Sequence, residues 1–160
     1  MHALTTEARQ ALTDMVVQIV EVRGNKLSHL SLESFSYDDR ESAEQGEAIM
    51  EAILNSDVNL IALNMAQNKE WWNREECRQL FPAVLLKQNR LRELNLDFSQ
   101  LTAEYTESLL TQIAARDDFC SQLTTLSLKE CLNFANDAAV ERFADILEKG
   151  LKLDYCFFID

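Results

Sequence analysis

The sequence predicts an α/β fold: a short, right-handed, horseshoe-like solenoid of about five helix–strand units, with a parallel sheet inside and helices outside. Three observations predict it. The pattern L-x-x-L-x-L recurs with starts at 27, 60, 91, 123 and 153, so the steps are 33, 31, 32 and 30 residues. Each step holds a helix-length stretch with apolar residues at 3.6-residue spacing. The chain has 160 residues, 47% apolar and 26% charged, which suits a single globular domain with a real core and not a disordered segment.

The first 22 residues carry a stripe of Leu4, Ala8, Leu12, Met15, Ile19 and Val22, which predicts an opening helix that buries this face. The first copy of the pattern is Leu27, Leu30 and Leu32, followed by a helical stripe of Ile49, Met50, Ile53 and Leu54. Leu60, Leu63 and Met65 come next, followed by Cys77, Leu80, Phe81, Val84 and Leu85. Pro82 lies inside that stripe and predicts a kink or a break there. Leu91, Leu94 and Leu96 precede the stripe Tyr105, Leu109, Leu110 and Ile113. Leu123, Leu126 and Leu128 precede Val140, Phe143, Ile146 and Leu147. A degenerate last copy reads Leu153, Cys156 and Phe158. Within each copy the last three residues alternate apolar and polar, as a strand with one buried face requires.

Strands that alternate with helices run parallel, because each helix carries the chain back to the same edge. One such unit cannot bury its own stripe, whereas stacked units share a continuous core. Thr102 before Glu104, and Asn73 before Glu75 and Glu76, read as helix caps followed by acids in the first turn. No linker is visible. The reading is one domain over 1–160, with 1–26 as an N-terminal helical cap and 27–160 as repeats.

At these residues the chain resembles the leucine-rich-repeat family, in its long, ribonuclease-inhibitor-like subtype with a full helix per repeat. The resemblance covers residues 27 to 160, and the segment from Gly46 to Leu54 is similar to the subtype's helix. The family places a small polar turn-capping residue three positions after the last strand leucine. Here those positions hold Phe35, Asn68, Ser99 and Cys131, of which Phe35 departs. The spacings exceed the 20 to 29 residues usual for such repeats. What the resemblance implies is recognition of a protein partner rather than chemistry.

On the open face, the residues flanking the strand leucines are His29, Ser31 and Glu33, then Ala62, Asn64 and Ala66, then Glu93, Asn95 and Asp97. Thr125, Ser127 and Lys129 follow, and then Tyr155, Phe157 and Ile159. The expected contact residues are Tyr155, Phe157 and Ile159 as an apolar anchor, with Glu93, Asn95 and Asp97 as an acidic rim. Besides an array that continues past Asp160 and covers the trio, two other readings stay open. One is core burial in a shifted register. The other is edge pairing of the last strand with a second copy, a possible homodimer with a structural role. Trp71 and Trp72 either anchor a partner or fill the space under a long connection.

Other functions are disfavoured. With 15 Lys plus Arg against 27 Asp plus Glu, the net charge is −12, which opposes nucleic acid and anionic membrane as partners. Three glycines form no phosphate-binding loop. The four cysteines, Cys77, Cys120, Cys131 and Cys156, form no metal-binding pair. No signal sequence or membrane-spanning stretch is visible. The expected state is therefore reduced thiols in the cytoplasm, with secretion as an effector lacking a signal peptide as the other route. The only histidines are His2 and His29, so no nucleophile has a base beside it. We expect no enzyme, no cofactor and no metal. A weaker alternative is a GTPase-activating module that donates Arg40 or Arg74, an analogy at the level of the fold.

Overall fold

The computed structural model describes residues 5–36, 40–116, 118, 121–131, 141, 144, 148 and 155–157, with backbone alone at 40, 41 and 155–157. In chain order the elements are helix α1 (Thr6–Arg23), a 3₁₀ turn (Gly24–Lys26), strand β1 (His29–Ser31), α2 (Arg40–Asn55) and β2 (Ala62–Asn64). Then come α3 (Lys69–Asn73), α4 (Glu75–Lys87), β3 (Glu93–Asn95), α5 (Ala103–Ala114), β4 (Thr125–Ser127) and β5 (Tyr155–Phe157). The predicted stripe of Val140, Phe143, Ile146 and Leu147 lies outside the described residues.

The fold is α/β. All five strands run parallel in the order β1-β2-β3-β4-β5. Each strand centres on the second position of a pattern copy, and the registers place Leu30, Leu63, Leu94, Leu126 and Cys156 in one column. The helices pack in chain order too, α1 on α2, α2 on α4 and α4 on α5. Strands form one layer and helices the other, with a continuous apolar core between them. It includes Leu32, Ile49, Ile53, Leu63, Phe81, Leu94, Leu109 and Leu126.

Polar groups inside this core repeat with the chain. Asn68 is fully buried, and its Nδ2 donates to the carbonyl of Leu32 at 2.7 Å and of Met65 at 3.0 Å. Its Oδ1 accepts from the Ser36 N–H at 2.7 Å. The Ser99 hydroxyl donates to the Met65 carbonyl at 3.3 Å, and the Cys131 thiol donates to that of Leu96. So each unit's small polar residue reaches back to the last strand carbonyl of the unit before it, which satisfies a buried acceptor. Phe35 follows β1, which has no strand before it among the described residues. It packs instead against Trp71, with ring centroids 6.0 Å apart.

The backbone repeats as well. Ser34, Gln67, Phe98 and Glu130, each two residues past the last strand leucine, have φ of 56°, 61°, 57° and 49°. No glycine occupies these left-handed positions. The cost of the conformation, about 1–2 kcal/mol at each, is offset by the turn contacts around it.

Two local expectations are corrected, and the Pro82 one is narrowed to exclude a break. Helix α1 forms, capped by Thr5, whose hydroxyl accepts from the Ala8 N–H at 3.3 Å. It buries a different face from the one expected: Thr13 and Val20 are buried, whereas Met15, Ile19 and Val22 are 49%, 41% and 66% exposed. Val16 and Val17 pack against the core on this side. Thr13 satisfies its hydroxyl on the Arg9 carbonyl, and a Cβ on Gly24 would sit 3.1 Å from the Val58 nitrogen.

Asn73 does not cap a helix start. It closes α3 and donates to Glu70 at 3.1 Å, while α4 begins after extended Arg74. Nor does Pro82 end a helix, because α4 runs on through it to Lys87. The missing N–H of Pro82 frees the Arg78 carbonyl four residues earlier. The Tyr105 hydroxyl on α5 donates to that carbonyl at 3.2 Å, so the neighbouring helix repairs the gap. Thr102 caps α5 as expected and accepts from the Tyr105 N–H at 3.2 Å.

Trp71 and Trp72 are both buried, and Trp72 stacks edge-on against Phe81 at 4.8 Å. They fill the space beneath the β2–α4 connection. Gly46 on α2 makes room for this: a Cβ there would fall 2.6 Å from the Trp71 ring. Lys87 at the end of α4 caps the carbonyl end of α2. Its Nζ donates to Ile53 at 3.1 Å, to Leu54 at 2.7 Å and to Ser56.

Candidate functional site

The open face of the sheet is built from the two residues beside each column leucine. The strand registers align His29, Ala62, Glu93, Thr125 and Tyr155 in one row. Ser31, Asn64, Asn95, Ser127 and Phe157 form the other. Between the rows runs a groove of about 550 Å³ lined by His29, Ser31, Asn64, Glu93, Asn95 and Thr125, among others.

The side chains here divide into those committed to the fold and those open to solvent. Asn64 Oδ1 accepts from the Ala66 N–H at 3.0 Å, and Asn95 Oδ1 accepts from that of Asp97 at 2.9 Å. Both carboxamides thus hold the chain where it leaves the strand. Asn64 also spends its Nδ2 on Ser31 and Glu33, at 3.3 and 3.1 Å. The Asn95 Nδ2 has no partner among the described residues. Asp97 is committed as well: its Oδ1 accepts from the Ser127 hydroxyl at 2.7 Å and from the Lys129 N–H at 2.8 Å. It staples the end of β3 to the end of β4. Glu93 and His29 are exposed, and His29 shares a hydrogen bond with the Ser28 hydroxyl at 2.8 Å.

Of the six expected contact residues, Glu93 and Asn95 line one groove, and Asp97 closes its rim while serving as an internal bond acceptor. Tyr155 and Phe157 hold the matching register positions on β5, opposite Thr125 and Ser127. Ile159 lies outside the described residues. The role of Asp97 was not legible in its strand position, since two of its donors come from the next unit. Asp97 stands two residues past β3, and the residue level with Ser127 is Asn95, so the strand register does not mark this pairing.

Other reactive groups are quiet. Cys77 and Cys131 are buried free thiols, and burial pushes both up to about 12. Thiolate chemistry at neutral pH is therefore disfavoured at both. No group of three or more metal-ligating side chains occurs among the described residues, and no helix among them is long and apolar enough to cross a membrane. Arg74 meets Glu47 at 2.7 Å, Glu76 at 3.3 Å and Glu44 at 3.5 Å, so its guanidinium is held between α2 and α4. Arg40 has no described side chain.

A scan against protein-family models finds no match, and a search of curated proteins finds no significant relative.

Proposed function

We propose that the chain is a non-catalytic recognition module with the architecture of a short leucine-rich-repeat solenoid. It binds a protein partner across the open sheet face and the C-terminal strand. The observation that carries this reading is the division of labour in the groove. Its walls are locked by internal hydrogen bonds, while the Glu93 carboxylate and the Asn95 Nδ2 remain available. A rigid face with a few open polar groups binds without a large ordering cost. Glu93 and Glu33, on a chain of net charge −12, favour a basic partner surface. Nothing in the held Arg74 favours the arginine-donating alternative.

The test uses the whole chain as bait in a lysate, beside its Glu93→Lys variant. A partner captured by the wild type and lost by the variant supports the reading. An identical set of captured proteins contradicts it.

Self-association through the last strand is the second reading. It is favoured by the place of β5, which among the described residues ends the strand order and pairs with β4 alone. Light scattering decides it: a wild-type dimer that becomes a folded monomer on Phe157→Lys supports edge pairing, and a wild-type monomer contradicts it.

A further inference from the structure

A second groove lies at the edge of the sheet where the strands begin. It encloses about 450 Å³ and is lined by Ile61, Arg90, Arg92, Ser121, Gln122 and Thr124. Ile61, Arg92 and Thr124 are the residues immediately before β2, β3 and β4. The backbone of this floor is tied down. The Arg92 N–H donates to the Ile61 carbonyl at 2.8 Å, and the Arg92 carbonyl accepts from the Thr124 and Thr125 N–H groups, both at 2.9 Å. The Thr124 hydroxyl adds a third bond to that carbonyl at 3.1 Å.

The two arginines are unusual for this chain, which carries 27 acids and 15 bases. Several other cations among the described residues are engaged. Arg74, Arg78 and Arg116 each meet a carboxylate, and Lys87 meets the carbonyls that end α2. Arg90 and Arg92 are exposed and carry no side-chain hydrogen bond or ion pair among the described residues. Glu93, next to Arg92 in the chain, lines the open-face groove instead, and Asp118 is held by Arg116 in a two-pronged pair at 3.0 and 2.8 Å. Ser121 and Gln122 donate to the Asp118 carbonyl at 3.0 and 2.9 Å, as Thr124 does to that of Arg92, so the two guanidinium groups on this fixed floor are the pocket's open donors, and no described carboxylate lines it.

We propose that this groove binds a small phosphorylated ligand through its phosphoryl group. Guanidinium groups match the oxygens of a tetrahedral oxyanion two at a time, and charge-assisted bonds of this kind are the strong ones. The overall charge of −12 repels anions from the rest of the surface, so binding here marks a specific site. This site is separate from the open face, and its failure leaves the recognition reading standing.

Calorimetric titration of the full chain tests it, with inorganic phosphate and glycerol phosphate as probes at constant ionic strength. The expected result is saturable binding that weakens at least tenfold in the double variant R90Q/R92Q, with an unchanged melting temperature. Gln122→Glu, which places a carboxylate in the groove, abolishes binding independently. Tighter binding of glycerol phosphate than of phosphate assigns the site to a phosphate ester, and equal affinity assigns it to the free anion. No saturable binding by the wild type, or equal affinity in the double variant, overturns the proposal.

Discussion

Pro82 and Tyr105 show how one residue's defect is repaired by another's hydroxyl. The Arg78 carbonyl, left without its helical donor, takes the Tyr105 hydroxyl at 3.2 Å. Tyr105→Phe is expected to cost about 1 kcal/mol, because it strands a part-buried acceptor. In a Pro82→Ala background the restored N–H satisfies Arg78, so the same substitution costs markedly less. Urea unfolding of the four chains checks this, and equal costs in both backgrounds would contradict it.

The buried thiols make a second residue-scale prediction. Burial raises Cys77 and Cys131 from an ordinary 9.0 to about 12 in the folded chain. A raised value means that stability is fully present below pH 9 and declines as pH rises from 9 towards 12, where only the unfolded chain loses these protons. The decline is at most about 1.4 kcal/mol per pH unit for each thiol. The double variant Cys77→Ala with Cys131→Ala should lose stability at neutral pH yet show a flatter alkaline limb. An unchanged alkaline slope would sink this explanation.

At the scale of elements, Gly46 is the tightest point between helices. A methyl group there would lie 2.6 Å from the Trp71 ring, and the ring is buried with nowhere to retreat. Gly46→Ala is therefore expected to destabilise by about 1–3 kcal/mol, although alanine is the better helix former. A neutral or raised melting temperature would show that α2 and α3 yield more easily than their packing implies.

Element placement was also where sequence reading succeeded and failed in instructive ways. The leucine pattern located every strand, since alternation with one buried face is a local property of Leu94-Asn95-Leu96 and its counterparts. The α1 face was misread because hydrophobicity alone favoured Met15, Ile19 and Val22. The buried side instead holds Thr13 and Val20, with Val16 and Val17 packed against the core. Asn73 resembled a cap in sequence, but a one-turn helix that buries two tryptophans had already claimed it.

For the whole molecule, the repeat acts through bonds between units. Asn68, Ser99 and Cys131 each reach the preceding unit, and Asp97 reaches the following one. The first of these positions was legible from the resemblance, because a small polar residue recurred at a fixed offset. Asp97 was not, for its donors lie 30 and 32 residues away and follow no pattern in the chain. Charge reversal at Asp97 would confuse recognition with stability, whereas Glu93 makes no such internal bond among the described residues. The most direct test of the open face as the recognition surface is therefore the affinity of a captured partner for Glu93→Lys. The control is Glu51→Lys, the same charge change on exposed α2. The account predicts at least a tenfold loss for Glu93→Lys and none for Glu51→Lys. Equal losses in both would show that bulk charge, and not this face, recruits the partner.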